Sequence, residues 1–185
     1  MNKNKNLTYS PMSKLFHWLI AFIVIMMLSF SFFLDSVPEK YRSFAFMIHK
    51  SFGITVLFLM LFRFVWVHIS GKPPLPDNIP DWQRFMSRFV QYSLYLLLIL
   101  MPLSGWIMSV AANKPPSYFG LFILPFPGIG SDKALAKWMN QTHEILAWVI
   151  ITFVALHVIA ALKHHFIDKN NVLRRMLPGN TRRMR

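Results

Sequence analysis

Four stretches of this chain are long and apolar enough to cross a bilayer, and three of them carry histidine. The spans run from about 12 to 34, 42 to 68, 85 to 112 and 133 to 166. A hydrocarbon core needs about 20 apolar residues of helix to cross it, and within it every backbone polar group must be satisfied internally. The expected fold is therefore an all-α membrane protein, a four-transmembrane-helix bundle forming one membrane domain over residues 1–185. The first span follows Lys3, Lys5 and Lys14 and at first sight has the look of a signal peptide. Its run from Leu15 to Leu34 is nevertheless long enough to span, and no small-x-small cleavage pattern follows, so a mature span is expected.

Composition narrows the function. Hydrophobic residues make up 55% of the 185-residue chain, too many for an ordinary soluble domain. The net charge of +13 invites a nucleic-acid reading, but the basic residues sit just outside the apolar runs, where they set orientation and meet anionic lipid. Nucleic acid is not an expected partner. With the amino terminus inside, fourteen Lys and Arg fall on the cytoplasmic side and six outside, together all 20. Both termini are expected in the cytoplasm. The absence of cysteine removes disulfides, thiolate metal sites and covalent haem attachment. Any haem must be held non-covalently, with histidine the natural axial ligand.

Ionisable side chains inside a membrane are costly and normally face the bundle interior with a partner. His143 and His157 lie fourteen residues apart on the fourth span, so they share a face and stand roughly 21 Å apart along the axis. Following the chain through the bilayer, His49 and His143 fall at the outer depth, and His17 and His157 at the cytoplasmic depth. The four are expected to ligate two haem b groups as the pairs His49/His143 and His17/His157, with the histidine-free third span as a wall. Pro102 should bend that span and Gly105 should give close approach.

Other residues fall on the same geometry. Arg63 follows His49 by fourteen residues and lies at the depth of the inner pair, where it either meets a haem propionate or snorkels to the interface. Gly53, one turn after His49, either admits a flat ring or serves helix packing. Lys50 and Lys137 either pair with outer propionates or mark the water boundary. His164, two turns beyond His157, lies where a quinone head group would sit; it is a hydrogen-bond or proton donor there, or an interfacial residue beside His165. His68 points off the ligand face and reads as interfacial. No nucleophile–base pair, phosphate loop or carboxylate dyad appears, so the chemistry must come from a cofactor.

The strings K-L-F-H-W at 14–18, M-I-H-K-S-F-G at 47–53, T-H-E at 142–144 and L-H-V-I-A-A-L-K-H-H-F at 156–166, with the following D-K-N-N-V-L-R-R-M-L-P, resemble the bacterial cytochrome b561 family. The resemblance covers nearly the whole chain, including F-G-L at 119–121 and its following proline. It implies a four-helix inner-membrane protein with two b haems on His17, His49, His143 and His157. It also implies oxidation of superoxide at the outer side and reduction of ubiquinone near the inner haem, with His164 on the quinone side. A surplus of outer basic residues, Lys50 and Lys137 among them, would steer a small anion toward the outer haem. The competing expectation is a membrane-anchor cytochrome b subunit linking a periplasmic dehydrogenase, of hydrogenase or formate dehydrogenase type, to the quinone pool. A histidine-lined metal or haem transporter is a third, which separate leaflet pairs suit less well.

Overall fold

A computed structural model describes residues 8–74 and 79–179. Lys3, Lys5 and the last three arginines, which contribute to the charge asymmetry, lie outside the described residues. Helix α1 spans Pro11–Ser31, α2 Glu39–Ser70, α3 Asp81–Ala111 and α4 Lys133–Phe166. All four are long and apolar enough to cross a membrane.

The helix ends follow from local chemistry. Ser10 caps α1 by accepting a hydrogen bond from the Ser13 N–H at 3.3 Å, and Pro11 sits in the first turn, where its missing N–H is harmless. Helix α1 stops at Ser31 rather than 34, and a single 3-10 turn, Leu34–Ser36, carries the chain to Pro38. From there α2 starts at Glu39 rather than Arg42 and runs to Gly71, whose φ of 76° ends it in a conformation that glycine alone adopts freely. Asp132 caps α4, its carboxylate accepting from the N–H groups of Ala134 at 2.9 Å and Leu135 at 3.0 Å.

The core lies among α1, α2 and α3. Ile20, Ile23 and Val24 of α1 meet Val56 and Met60 of α2 and Tyr95 of α3. Helix α4 packs chiefly along α3, and Ile150 is the one α4 residue fully buried among those described. Large apolar side chains such as Phe22, Ile25, Trp148 and Ile159 point outward, as expected where the solvent is lipid.

The segment between α3 and α4 is more ordered than a plain loop. Strands β1, Ser117–Tyr118, and β2, Phe122–Ile123, form a small antiparallel ribbon with Ser117 opposite Ile123 and Tyr118 opposite Phe122. Gly120, at φ 78°, makes the turn possible. The ribbon is tied to α2: Ser51 Oγ accepts from the Phe119 N–H at 2.8 Å and lies 3.2 Å from the Ser117 carbonyl oxygen. The Lys50 ammonium donates to the Lys114 carbonyl at 2.9 Å.

Candidate functional site

The four helices bring the histidines together two by two. His17 of α1 faces His157 of α4 with ring centres 6.2 Å apart, and His49 of α2 faces His143 of α4 at 6.3 Å. The ring planes are inclined by 71° and 67°, so neither pair is stacked. An imidazole nitrogen bonds a transition metal at roughly 2 Å, which leaves two rings on opposite sides of one ion with centres roughly 6 Å apart. Both gaps therefore suit a single iron between the rings. The pairs share α4, and the fourteen residues between its two histidines separate them by roughly 21 Å.

The surroundings of the outer pair fit a flat macrocycle. A cavity of about 500 Å³ is lined by His49, Gly53, Pro102, Gly105, His143 and Ile150 among others, within the roughly 300–1,000 Å³ typical of cofactor sites. It is mostly apolar, as a porphyrin face requires. A Cβ added at Gly53 would find only the Met27 methyl within 4 Å, at 3.9 Å, so glycine keeps that wall low rather than preventing a clash. At Gly105 the space is already filled: a Cβ there would lie 2.9 Å from Cε1 of His143 and 3.2 Å from its Nδ1.

Helix α3 does more than form a wall. His143 Nδ1 lies 3.1 Å from the Met101 carbonyl oxygen and 3.0 Å from the Ser104 hydroxyl. A carbonyl can only accept, so Nδ1 carries the proton and Nε2 keeps its lone pair for a metal. The Ser104 hydroxyl also donates to Met101 at 2.7 Å, tying the two partners into one clamp. Sequence reasoning passed over Ser104; its signal was a hydroxyl beside Gly105 in an otherwise apolar span. His49 shows a different state, with its buried Nδ1 lacking a hydrogen-bond partner among the described residues.

Arg63 does not snorkel. It is 7% exposed, donates to the Ser13 carbonyl at 2.7 Å and holds its guanidinium 5.9 Å from the centre of the Tyr95 ring. Lys50 is half-buried and lines the outer cavity, as do Asp35 and Glu144. The lining of that cavity therefore mixes charges, a detail that residue counts on the outer side conceal. Lys137 is exposed one and a half turns before His143. His164 is half-buried, and its Nδ1 lies 2.9 Å from the Asp168 carboxylate and 2.9 Å from the Asn170 amide. Lys163 donates to both oxygens of Asp168, at 2.9 and 2.8 Å, and holds that carboxyl below the usual carboxylate range. The Asp168 contact escaped sequence reasoning because it depends on the turn after Phe166. His68 is exposed, with Nδ1 2.7 Å from the Phe64 carbonyl oxygen, as an interfacial residue would be.

Comparison with known proteins places this geometry. The prokaryotic cytochrome b561 family matches residues 8–179. Cytochrome b561 homolog 2 of Escherichia coli is 37% identical over 172 residues, 91% of this chain and 90% of the relative. Cytochrome b561 homolog 1 of the same organism is 33% identical over 131 residues, 70% of this chain and 73% of the relative. A probable superoxide oxidase, CybB, of Yersinia pestis is 30% identical over 173 residues, 92% and 96% of the two chains.

Proposed function

The chain belongs to the prokaryotic cytochrome b561 family, and from that premise we propose that it carries electrons from superoxide at the outer face to ubiquinone at the cytoplasmic face. Membrane electron transfer with b-type haem is the character of the family; the substrates, the sidedness and the number of haems are the proposal. The observation that carries it is the pair of ring gaps, 6.2 and 6.3 Å, strung along one helix. His17 and His157 hold the inner haem, His49 and His143 the outer one. Bound there, the two groups would supply one-electron sites at two depths, which a chain without cysteine otherwise lacks.

The residues around these sites have separate tasks. The Met101–Ser104 clamp holds the His143 ring in the tautomer that offers Nε2. Gly53 keeps the outer cavity open to a flat group, and Gly105 makes room for the His143 ring. His164, braced by Asp168, stands beside the inner site as hydrogen-bond or proton donor to the quinone head group. Superoxide as donor rests on the relative named a probable superoxide oxidase, together with Lys50 and Lys137 at the outer end. Both termini lie in the cytoplasm, because the basic flanks gather on that side.

The deciding measurement is haem content and the reduced-minus-oxidised spectrum of purified protein given a pulse of superoxide, then ubiquinone. Two b haems per chain, reduced at once and reoxidised by quinone, are expected. The His164→Ala variant should reduce as fast and reoxidise about a hundredfold more slowly, the lower end of what a single acid–base group contributes. Fewer than two haems would break the ligand pairing. Two haems indifferent to superoxide would redirect the search to a periplasmic dehydrogenase as donor.

Electrostatic steering has its own test. Lys50→Gln with Lys137→Gln should slow haem reduction by superoxide several-fold at low salt and flatten its ionic-strength dependence. Glu144→Gln should do the opposite, since its carboxylate lines the same cavity. An unchanged salt profile in both variants would remove steering from the account.

A further inference from the structure

Beneath the inner histidine pair lie two buried cations without a matching acid. Lys14 is 5% exposed, and its Nζ is buried with no hydrogen-bond partner among the described residues. Arg63 is nearly as enclosed, and it donates to a neutral carbonyl, that of Ser13. Neither forms an ion pair with a carboxylate among the described residues; the pairs present are Arg42–Glu39, Arg84–Asp81, and Lys163 and His164 with Asp168. The hydroxyl of Tyr95, whose ring packs under Arg63, is likewise buried without a hydrogen-bond partner among the described residues. A buried charge without its counterpart is strongly unfavourable, and a buried donor without an acceptor adds to the cost.

The positions of these donors relate them to the inner site. Lys14 precedes His17 by three residues and so lies on the same side of α1, one turn nearer the end. The hydrogen bond to Ser13, four residues before His17, fixes the Arg63 guanidinium at that same turn. Arg63 and the Tyr95 ring thus meet at the turn before a histidine assigned to the inner haem, and Lys14 stands one turn from that histidine on the same side of α1. What would satisfy them is an acceptor of two negative charges with several oxygens. Carboxylates meet that need, and a planar guanidinium fits a carboxylate in two-pronged fashion. A quinone is neutral and would compensate neither charge.

The chain also closes this end. After α4, residues 167–179 fold back toward the start of α1: the Trp18 indole N–H donates to the Met176 carbonyl at 2.8 Å, and the Tyr9 N–H reaches the Arg175 carbonyl at 3.4 Å. An end covered in this way suits a resident group better than an exchanging lipid phosphate.

We infer that Lys14 and Arg63, with the Tyr95 hydroxyl, form the receptor for the propionate carboxylates of the inner haem. The inference rests on the proposed ligand pairs and adds Lys14 and Tyr95, which sequence patterning had not singled out.

The test is spectroelectrochemical titration of purified, haem-replete protein. In Lys14→Gln one of the two haem midpoints should fall, because a nearby cation favours the reduced state. The expected shift is at least tenfold in the reduction equilibrium, about 59 mV for one electron. The other midpoint should not move, and Lys14→Arg should restore the first. Tyr95→Phe, which keeps the packed ring, should lower the same midpoint by less, and it decides the question if Lys14→Gln fails to fold. Two haems with unchanged midpoints in both variants would overturn the receptor. A midpoint in the parent protein that follows added phosphatidylglycerol vesicles would overturn it too, by assigning the cations to a lipid phosphate. Fewer than two haems in the parent protein would instead mark failure of the ligand pairs themselves.

Discussion

Replacing His157 with alanine is expected to halve the haem content and abolish electron flow across the bundle. His157 is half of the inner ring pair, and an alanine leaves His17 facing open space rather than a second imidazole 6.2 Å away. Held by one axial ligand, the inner haem should be lost on purification or remain five-coordinate. The outer pair should be untouched, because it lies roughly 21 Å away along the same helix and α4 keeps its register through Asp132 capping and packing on α3. The measurement is haem per chain with the low-temperature spectrum of what remains. The expected result is one six-coordinate b haem in a folded protein. Superoxide should still reduce that haem, and ubiquinone should no longer reoxidise it at an appreciable rate. Two six-coordinate haems in this variant would rule out His157 as a ligand.

The second large effect falls on the other pair and comes from a residue that touches no iron. Gly105→Ala places a methyl group 2.9 Å from Cε1 of His143 and 3.2 Å from Nδ1. The methyl grows from a helix backbone that cannot retreat, so the imidazole must move. Doing so pulls Nδ1 away from Met101 and Ser104, the contacts that set its tautomer and direction. Overpacking of this kind costs about 1–3 kcal/mol, equivalent to about 5- to 150-fold in an affinity. Two effects of opposite sign are separable here, because alanine favours an α-helix over glycine by about 1 kcal/mol. The variant should therefore unfold in the absence of haem at the same temperature as the parent or somewhat lower, the two terms partly cancelling, while losing its outer haem faster in a competition with apomyoglobin. Equal loss rates in parent and variant would show that His143 has more room than its distance to Gly105 implies.

Both effects trace to how α4 is used. A helix buried on all sides would have its histidines committed to packing, whereas α4 rests mainly on α3 and turns its histidine face toward α1 and α2. The inner and outer sites are then built differently around one helix. The outer site is shaped by α3, through a glycine and a hydroxyl beside Pro102. At the His17/His157 pair, Arg63 of α2 reaches the Ser13 carbonyl of α1, and the segment after α4 returns to Trp18. That asymmetry gives each variant a site-specific signature.

The four spans and the grouping of histidines by depth were legible in the sequence because both depend on short-range geometry. Helix length follows from apolar run length in a bilayer, and a fourteen-residue interval returns a side chain to nearly the same direction whatever else the protein does. Alternating passage through the membrane then sets depth, which matched His17 with His157 and His49 with His143. The environments of other residues were not legible. Whether Arg63 reaches solvent or turns inward depends on the rotation of α2 against α1, which placed the Ser13 carbonyl within 2.7 Å of it. Lys14 looked like part of a basic flank, and only the packing of neighbouring helices left it 5% exposed. The clamp on His143 needed α3 to approach closely enough for Ser104 and Met101 to reach across to α4. The contact of Asp168 with His164 needed the chain to turn just past Phe166. Sequence by itself thus determined which residues share a depth and a face, because a helix is rigid and periodic. Tertiary structure alone decided which neighbours orient, neutralise and enclose them, because those contacts depend on helix rotation and on loop paths that no periodicity encodes.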